Sequence, residues 1–203
     1  MSGCVRMTER ALVPLPASPS PVTAVRGTLL GGSLRTMHQL GLREAYFERL
    51  PPEHHEAVMA LVPMSWIPTD VALAHYRAMD ALVSDPKEQR ASGHFVGERV
   101  QRSYLHTLVR ALQATGLVTP PRLLARMPTI WARMFRGGAV SISQLGPKDL
   151  RVRTVGLPLF SVPYFREGWE GVWESGLSLV TRKIYVRRLR RSDDSLDMTL
   201  AWV

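Results

Sequence analysis

The chain has 203 residues, of which 45% are apolar and 21% charged, with a formal net charge of +9, a balance that excludes disorder and membrane embedding and supports one well-filled core. No uninterrupted run of about 18 apolar residues occurs, so no membrane-spanning helix is expected and a cytoplasmic location follows. The single cysteine, Cys4, excludes an intramolecular disulfide and a thiolate cluster for zinc or iron-sulfur.

Residues 1–23 read as a flexible Pro-rich tail, because "ALVPLPASPSPV" at 11–22 strings prolines that remove backbone donors. A single α+β domain is expected over 24–203. It opens with a short strand at "AVRGTLL", followed by a helix N-capped by Ser33 and ending at Gly41. Two short helical segments over 43–62 are divided by Pro51 and Pro52. Longer helices are predicted from Asp70 to Val83, capped by Thr69, and from Pro86 to Thr115, ending at Gly116. "PPRLLARMPTIWARMFRGG" is helical with a break at Pro128. Beyond Gly137 the pattern alternates: "AVSISQL" and "LRVRTV" flank a turn, and "RKIYVRRL" and "LDMTLAWV" flank another. Between these hairpins lies the helix "YFREGWEGVWESG", residues 164–176. The fold class is therefore α+β, an N-terminal helical layer on a four- or five-stranded antiparallel sheet, with a C-terminal strand-strand-helix-strand-strand unit.

At 100° per residue, that helix places Phe165, Trp169, Val172, Trp173 and Gly176 on an apolar arc and Arg166, Glu167, Glu170 and Glu174 on a charged one. Gly168, Gly171 and Ser175 share the third sector. Interior glycines cost about 1 kcal/mol each relative to alanine, so close approach of another backbone is expected there. The tryptophans read as core packed across the sheet, beside a reading in which one of them walls a pocket. The three glutamates read as a solvated face.

The ordered pieces "VRGTLL", "SWIPTD", "HFVGERV", "VSISQLGPKDLRVRTV", "YFREGWEGVWESG" and "MTLAWV" resemble an uncharacterised myxobacterial family of proteins of about this length. More remotely, that family is similar to the fold shared by 4-vinyl reductase-like ligand-binding domains, haem nitric-oxide-binding domains and small subunits of vesicle-tethering complexes. The resemblance implies a helical layer on an antiparallel sheet, often dimeric, used for ligand sensing or assembly. Zinc-binding relatives use cysteines, which the folded part lacks, and the Tyr-x-Ser-x-Arg motif of the haem domains is missing. Neither metal nor other cofactor is expected.

Histidine is the most informative residue type, being both ligand and proton carrier. His75 lies in the apolar arc of its helix and reads as a buried histidine bonded to a backbone carbonyl, with pocket lining as the alternative. His54 and His55 diverge on a helix and read as solvated. His94, Glu98, Arg102 and His106 read as an ionic ladder, opposite Val96, Val100, Tyr104 and Leu108 around Gly93 and Gly97, where close packing is expected. The densest charge lies in "RKIYVRRLRR": Arg182, Lys183, Arg187, Arg188, Arg190 and Arg191. As a strand it directs Lys183, Arg187 and Arg191 to one side and Arg188 and Arg190 to the other, with Asp193, Asp194 and Asp197 available to pair across the hairpin.

These residues point to a non-enzymatic regulatory or adaptor domain that binds a small apolar ligand or a partner protein, with a homodimer in view. Trp66, His75, Tyr76 and Trp131 are the candidate pocket residues. The alternative is nucleic-acid binding through the basic hairpin 182–191.

Overall fold

The computed structural model describes residues 9–102, 119–178 and 180–203. The predicted end of the helix beyond Val100, with Tyr104, His106, Leu108 and Gly116, lies outside the described residues.

The fold is α+β, as expected. Strands β1 (Arg10–Val13), β5 (Ala139–Gly146), β6 (Asp149–Val155), β7 (Ile184–Arg191) and β8 (Leu196–Trp202) form an antiparallel sheet in the order β1-β5-β6-β8-β7. Alternation sends Ile142, Leu150, Val152, Leu196, Met198 and Leu200 to one face, where each is fully buried. A smaller sheet runs β3 (Trp66–Pro68), β2 (Ala24–Arg26), β4 (Phe135–Arg136). The helical layer comprises α1 (Gly27–Gln39), α2 (Arg43–Arg49), α3 (His55–Met59), α4 (Thr69–Asp80), α5 (Pro86–Val100), α6 (Pro120–Leu124) and α7 (Met127–Met134), and α8 (Pro163–Leu177) joins β6 to β7. Among the described residues, no helix is long and apolar enough to cross a membrane.

The N-terminal segment differs from the expected tail. Arg10–Val13 pairs with β5, Val13 opposite Ile142, and Val13 and Val22 are buried. The prolines stop the strand at Pro14 but leave carbonyls free to accept: Gly138 N–H donates to Ser20 O at 2.6 Å. Residues 10–22 thus close the sheet edge rather than trailing from it. Ser33 likewise is not an N-cap. The strand from Ala24 ends at Arg26 and α1 begins at Gly27, so Ser33 falls inside the helix, fully buried.

Pro128 divides α6 from α7 as the sequence predicts, and Gly137 and Gly138 take φ values of 92° and 62° in the turn into β5. Asp80, the last residue of α4, accepts from the Tyr164 N–H at 2.7 Å. A carboxylate from another helix thereby caps the first turn of α8.

Candidate functional site

Helices α5 and α8 pack at backbone distance. A Cβ at Gly93 would lie 1.7 Å from the Gly168 carbonyl oxygen, one at Gly171 would lie 2.1 Å from the Arg90 oxygen, and one at Gly97 would meet Ser175 at 2.6 Å. The close approach expected of both glycine sets is therefore the approach of these two helices to each other. Where they splay apart beyond Gly97, a cavity of about 50 Å³ opens against α6 and α7. Its walls are apolar and include Val100, Leu124, Met127, Ile130, Trp169 and Trp173, and Gly97 and Gly176 leave the space.

Trp169 and Trp173 are 2% and 5% exposed, and their rings meet edge to face at 6.1 Å. Neither indole N–H has an acceptor among the described residues. A buried donor without a partner costs about 1–3 kcal/mol, and here two such donors belong to walls of one apolar cavity. The tryptophans are thus core and cavity wall at once.

The candidate pocket residues lie elsewhere. Trp66 sits on β3 between cations, with the Arg26 and Arg136 guanidinium carbons 3.9 and 4.6 Å from its ring. Trp131 stacks on Phe135 at 4.1 Å and donates to Gly137 O at 2.9 Å. Tyr76 donates to Leu29 O at 2.8 Å and borders a void of about 20 Å³ with Tyr164 and Trp169. His75 is fully buried between two hydroxyls, Ser33 Oγ at 2.5 Å from Nε2 and Tyr46 Oη at 2.7 Å from Nδ1. Ser33 also donates to Leu30 O at 2.9 Å, so it must accept from Nε2–H, which leaves Nδ1 to accept from Tyr46. One neutral tautomer satisfies the whole chain, and the backbone carbonyl expected beside His75 is reached through Ser33. Burial lowers the His75 pKa to about 3. This node ties α1, α2 and α4 together.

The glutamates of α8 are not a solvated face. Glu170 is 3% exposed and accepts from Arg90 Nη2 at 2.5 Å and from Arg188 Nε. Glu167 takes the same two arginines, and Glu174 takes Arg90 and His94. Cations from α5 and β7 neutralise what an amphipathic pattern presents as a water-facing edge. His94 therefore leaves the predicted ladder, of which Glu98 with Arg102 at 3.4 Å remains among the described residues. Glu170→Gln removes the buried carboxylate charge between two arginines and is expected to cost about 2 kcal/mol. Urea denaturation in low and high salt checks this, since a buried cluster resists the screening that would erase a surface pair.

The basic hairpin is divided accordingly. Arg188 turns inward to α8, while Arg182, Lys183, Arg187, Arg190 and Arg191 are exposed. A bulge between Arg188 and Arg190 breaks the strict alternation and puts Arg190, expected on the side of Arg188, opposite Asp197. Asp197 instead holds Arg151 of β6, with Nε at 2.9 Å.

A family model described as "Protein of unknown function (DUF2378)" matches residues 67–203. No curated protein matches the chain. Among solved structures, an oxygen-binding H-NOX domain related to soluble guanylate cyclases aligns at TM-score 0.57 and 12% identity, over 87% of this chain and 94% of that one. An Fe(II) unliganded H-NOX mutant from K. algicida aligns at TM-score 0.58 and 8% identity, over 88% and 96%. A structure from work on haem redox potential and porphyrin distortion aligns at TM-score 0.58 and 12% identity, over 87% and 99%. At these identities the likeness shows the fold, and it matches the haem nitric-oxide-binding resemblance of the sequence.

Proposed function

The chain belongs to the DUF2378 family and has the H-NOX fold, and from that premise we propose that it is a non-enzymatic, cytoplasmic regulatory domain that senses a small apolar molecule in the cavity between α5, α6, α7 and α8. The observation that carries this reading is the wholly apolar lining of that cavity, to which the rings of Trp169 and Trp173 contribute. Apolar walls with no polar group among them favour a small ligand that water rejects. A volume of about 50 Å³ suits a molecule of a few heavy atoms.

Haem, to which the work on one structural neighbour refers, does not fit the described residues. Large-ligand pockets run to about 300 Å³ or more, and no histidine among the described residues lines this cavity. Both nitrogens of His75 are engaged, and His94 is held by Glu174. The constellation that most resembles a nucleophile and its base, Ser33 with His75, is sealed from solvent, which supports binding rather than catalysis.

A ligand that presses on Trp169 and Trp173 acts on α8, and α8 holds β7 through Glu170 and Arg188. The β7 edge, with Tyr185 and Leu189 exposed, supports a partner protein or a second copy as receiver of that shift. Nucleic acid at residues 182–191 is the weaker reading, because Arg188 is turned into the protein. The test uses Gly176, where an added Cβ meets nothing within 4 Å among the described residues. Gly176→Leu is expected to fill the cavity and keep the fold. Native mass spectrometry should then show a small added mass on the wild-type protein, lost on denaturation and missing from the variant. The same added mass on both proteins would overturn the assignment of the cavity.

A further inference from the structure

The flank of α5 opposite the cavity faces α1 across a groove of about 420 Å³. Gly31 and Gly32 form its α1 wall with Thr28 and Arg35, α5 contributes Phe95, Glu98 and Arg99, and Arg102 follows just beyond the end of α5. The Arg35 guanidinium carbon lies 4.1 Å over the Phe95 ring, a stack that fixes the plane of the group and leaves its N–H edge to bind. Arg102 is paired with Glu98 at 3.4 Å. Among the described residues, Arg35 and Arg99 have no carboxylate partner. Three like charges thus meet one opposite charge, an excess of two that raises the local potential along a concave groove whose charged groups are exposed to solvent. Gly32 lets α1 approach α5 at the floor of the groove, where an added Cβ would lie 2.4 Å from Ser92 O, and a Cβ at Gly31 would lie 3.4 Å from Arg99 Nη1.

We propose that this groove binds a small phosphorylated anion, its phosphate oxygens held by Arg35 and Arg99 with Arg102 released from or shared with Glu98. Planar guanidinium groups match phosphate in bidentate fashion, and an excess of two positive charges matches a phosphate dianion. The site is independent of the apolar cavity. Both use α5, however, through residues on opposite flanks of the same helix, Gly97 and Val100 on one and Phe95 and Arg99 on the other.

The experiment is calorimetric titration of the full chain with pyrophosphate and with adenosine monophosphate at near-physiological salt. Saturable one-site binding is expected, weakened about tenfold or more by Arg99→Gln and unchanged by Arg190→Gln, which removes the same charge from the distant hairpin. Circular dichroism confirms that both variants are folded. Arg35→Lys keeps the charge but loses the fork, and is expected to weaken binding as well. Binding of neither anion, or equal weakening by Arg99→Gln and Arg190→Gln, would overturn the proposal, the latter by assigning the affinity to the net charge of the protein. Retention of binding in Gly176→Leu would keep this result separate from the fate of the apolar cavity.

Discussion

Gly93→Ala is expected to destabilise the protein by about 3 kcal/mol or more, a larger effect than one methyl group usually has. The atoms the new Cβ would meet are the backbone oxygen, carbon and Cα of Gly168, at 1.7, 2.5 and 2.8 Å, and no rotamer can move them aside. Relief requires α5 and α8 to part. Parting them pulls Gly97 from Ser175, Gly171 from the Arg90 carbonyl, and Arg90 from its three glutamates. Gly176→Ala is the control, because it adds the same methyl to α8 in open space and should stabilise by about 0.5–1 kcal/mol through helix propensity. Urea denaturation of the two variants checks both, and a Gly93→Ala protein as stable as the wild type would mean that the helices are not in backbone contact.

The second large effect is on acid stability. His75 is neutral in the folded protein with its pKa lowered from 6.5 to about 3 by burial, whereas the unfolded chain protonates it near 6.5. Above pH 6.5 the two states bind equal numbers of protons at this site and stability is flat. Below it only the unfolded state takes the proton, so the unfolding equilibrium should shift tenfold per pH unit toward unfolding until about pH 3. The window between pH 6.5 and 5 lies above the ordinary carboxylate range, and among the six histidines of the chain the difference between wild type and His75→Leu assigns the effect to His75. His75→Leu should lose this limb while being less stable at pH 7, where the Tyr46 hydroxyl is left without its acceptor and Ser33 keeps only its bond to Leu30 O. A wild-type stability that is flat from pH 7 to 5 would show that His75 is not sealed.

The elements were legible where one physical signal dominates. Alternation marked both hairpins, and Pro128 the break between α6 and α7. The glycines of "SGHFVGERV" and "EGWEGVWESG" marked a close approach, because an interior glycine has few other uses in a helix. The segment 10–13 was hidden by the prolines that follow it. Those prolines read as a tail, yet a strand needs only the residues before them, and an edge strand leaves one side of its backbone unpaired in any case. The ionic cluster was hidden for a related reason. Helical periodicity separates charged from apolar faces but carries no information about what covers the charged one, and Glu170 is covered by Arg90 from 80 positions earlier and by Arg188 from the neighbouring strand. Of the site, Trp169 and Trp173 were visible as large aromatics at helical spacing. The cavity beside them depends on where α6 and α7 cross α8, and Leu124, Met127 and Ile130 look like any apolar helix face. His75 was rightly placed in the interior, while its partners Ser33 and Tyr46 lie too far away in sequence to be paired by spacing.

The central claim is that Trp169 and Trp173 wall a cavity open to a small ligand, and nuclear magnetic resonance of the indole N–H groups tests it most directly. The chain has five tryptophans, and Trp→Phe variants assign their indole signals. Titration with dissolved xenon, which is small and apolar like the lining, should move the signals of Trp169 and Trp173 saturably, leave those of Trp66, Trp131 and Trp202 in place, and do neither in Gly176→Leu. Equal drift of all five signals, or the same shifts in the filled variant, would contradict the account and leave the two tryptophans as core alone.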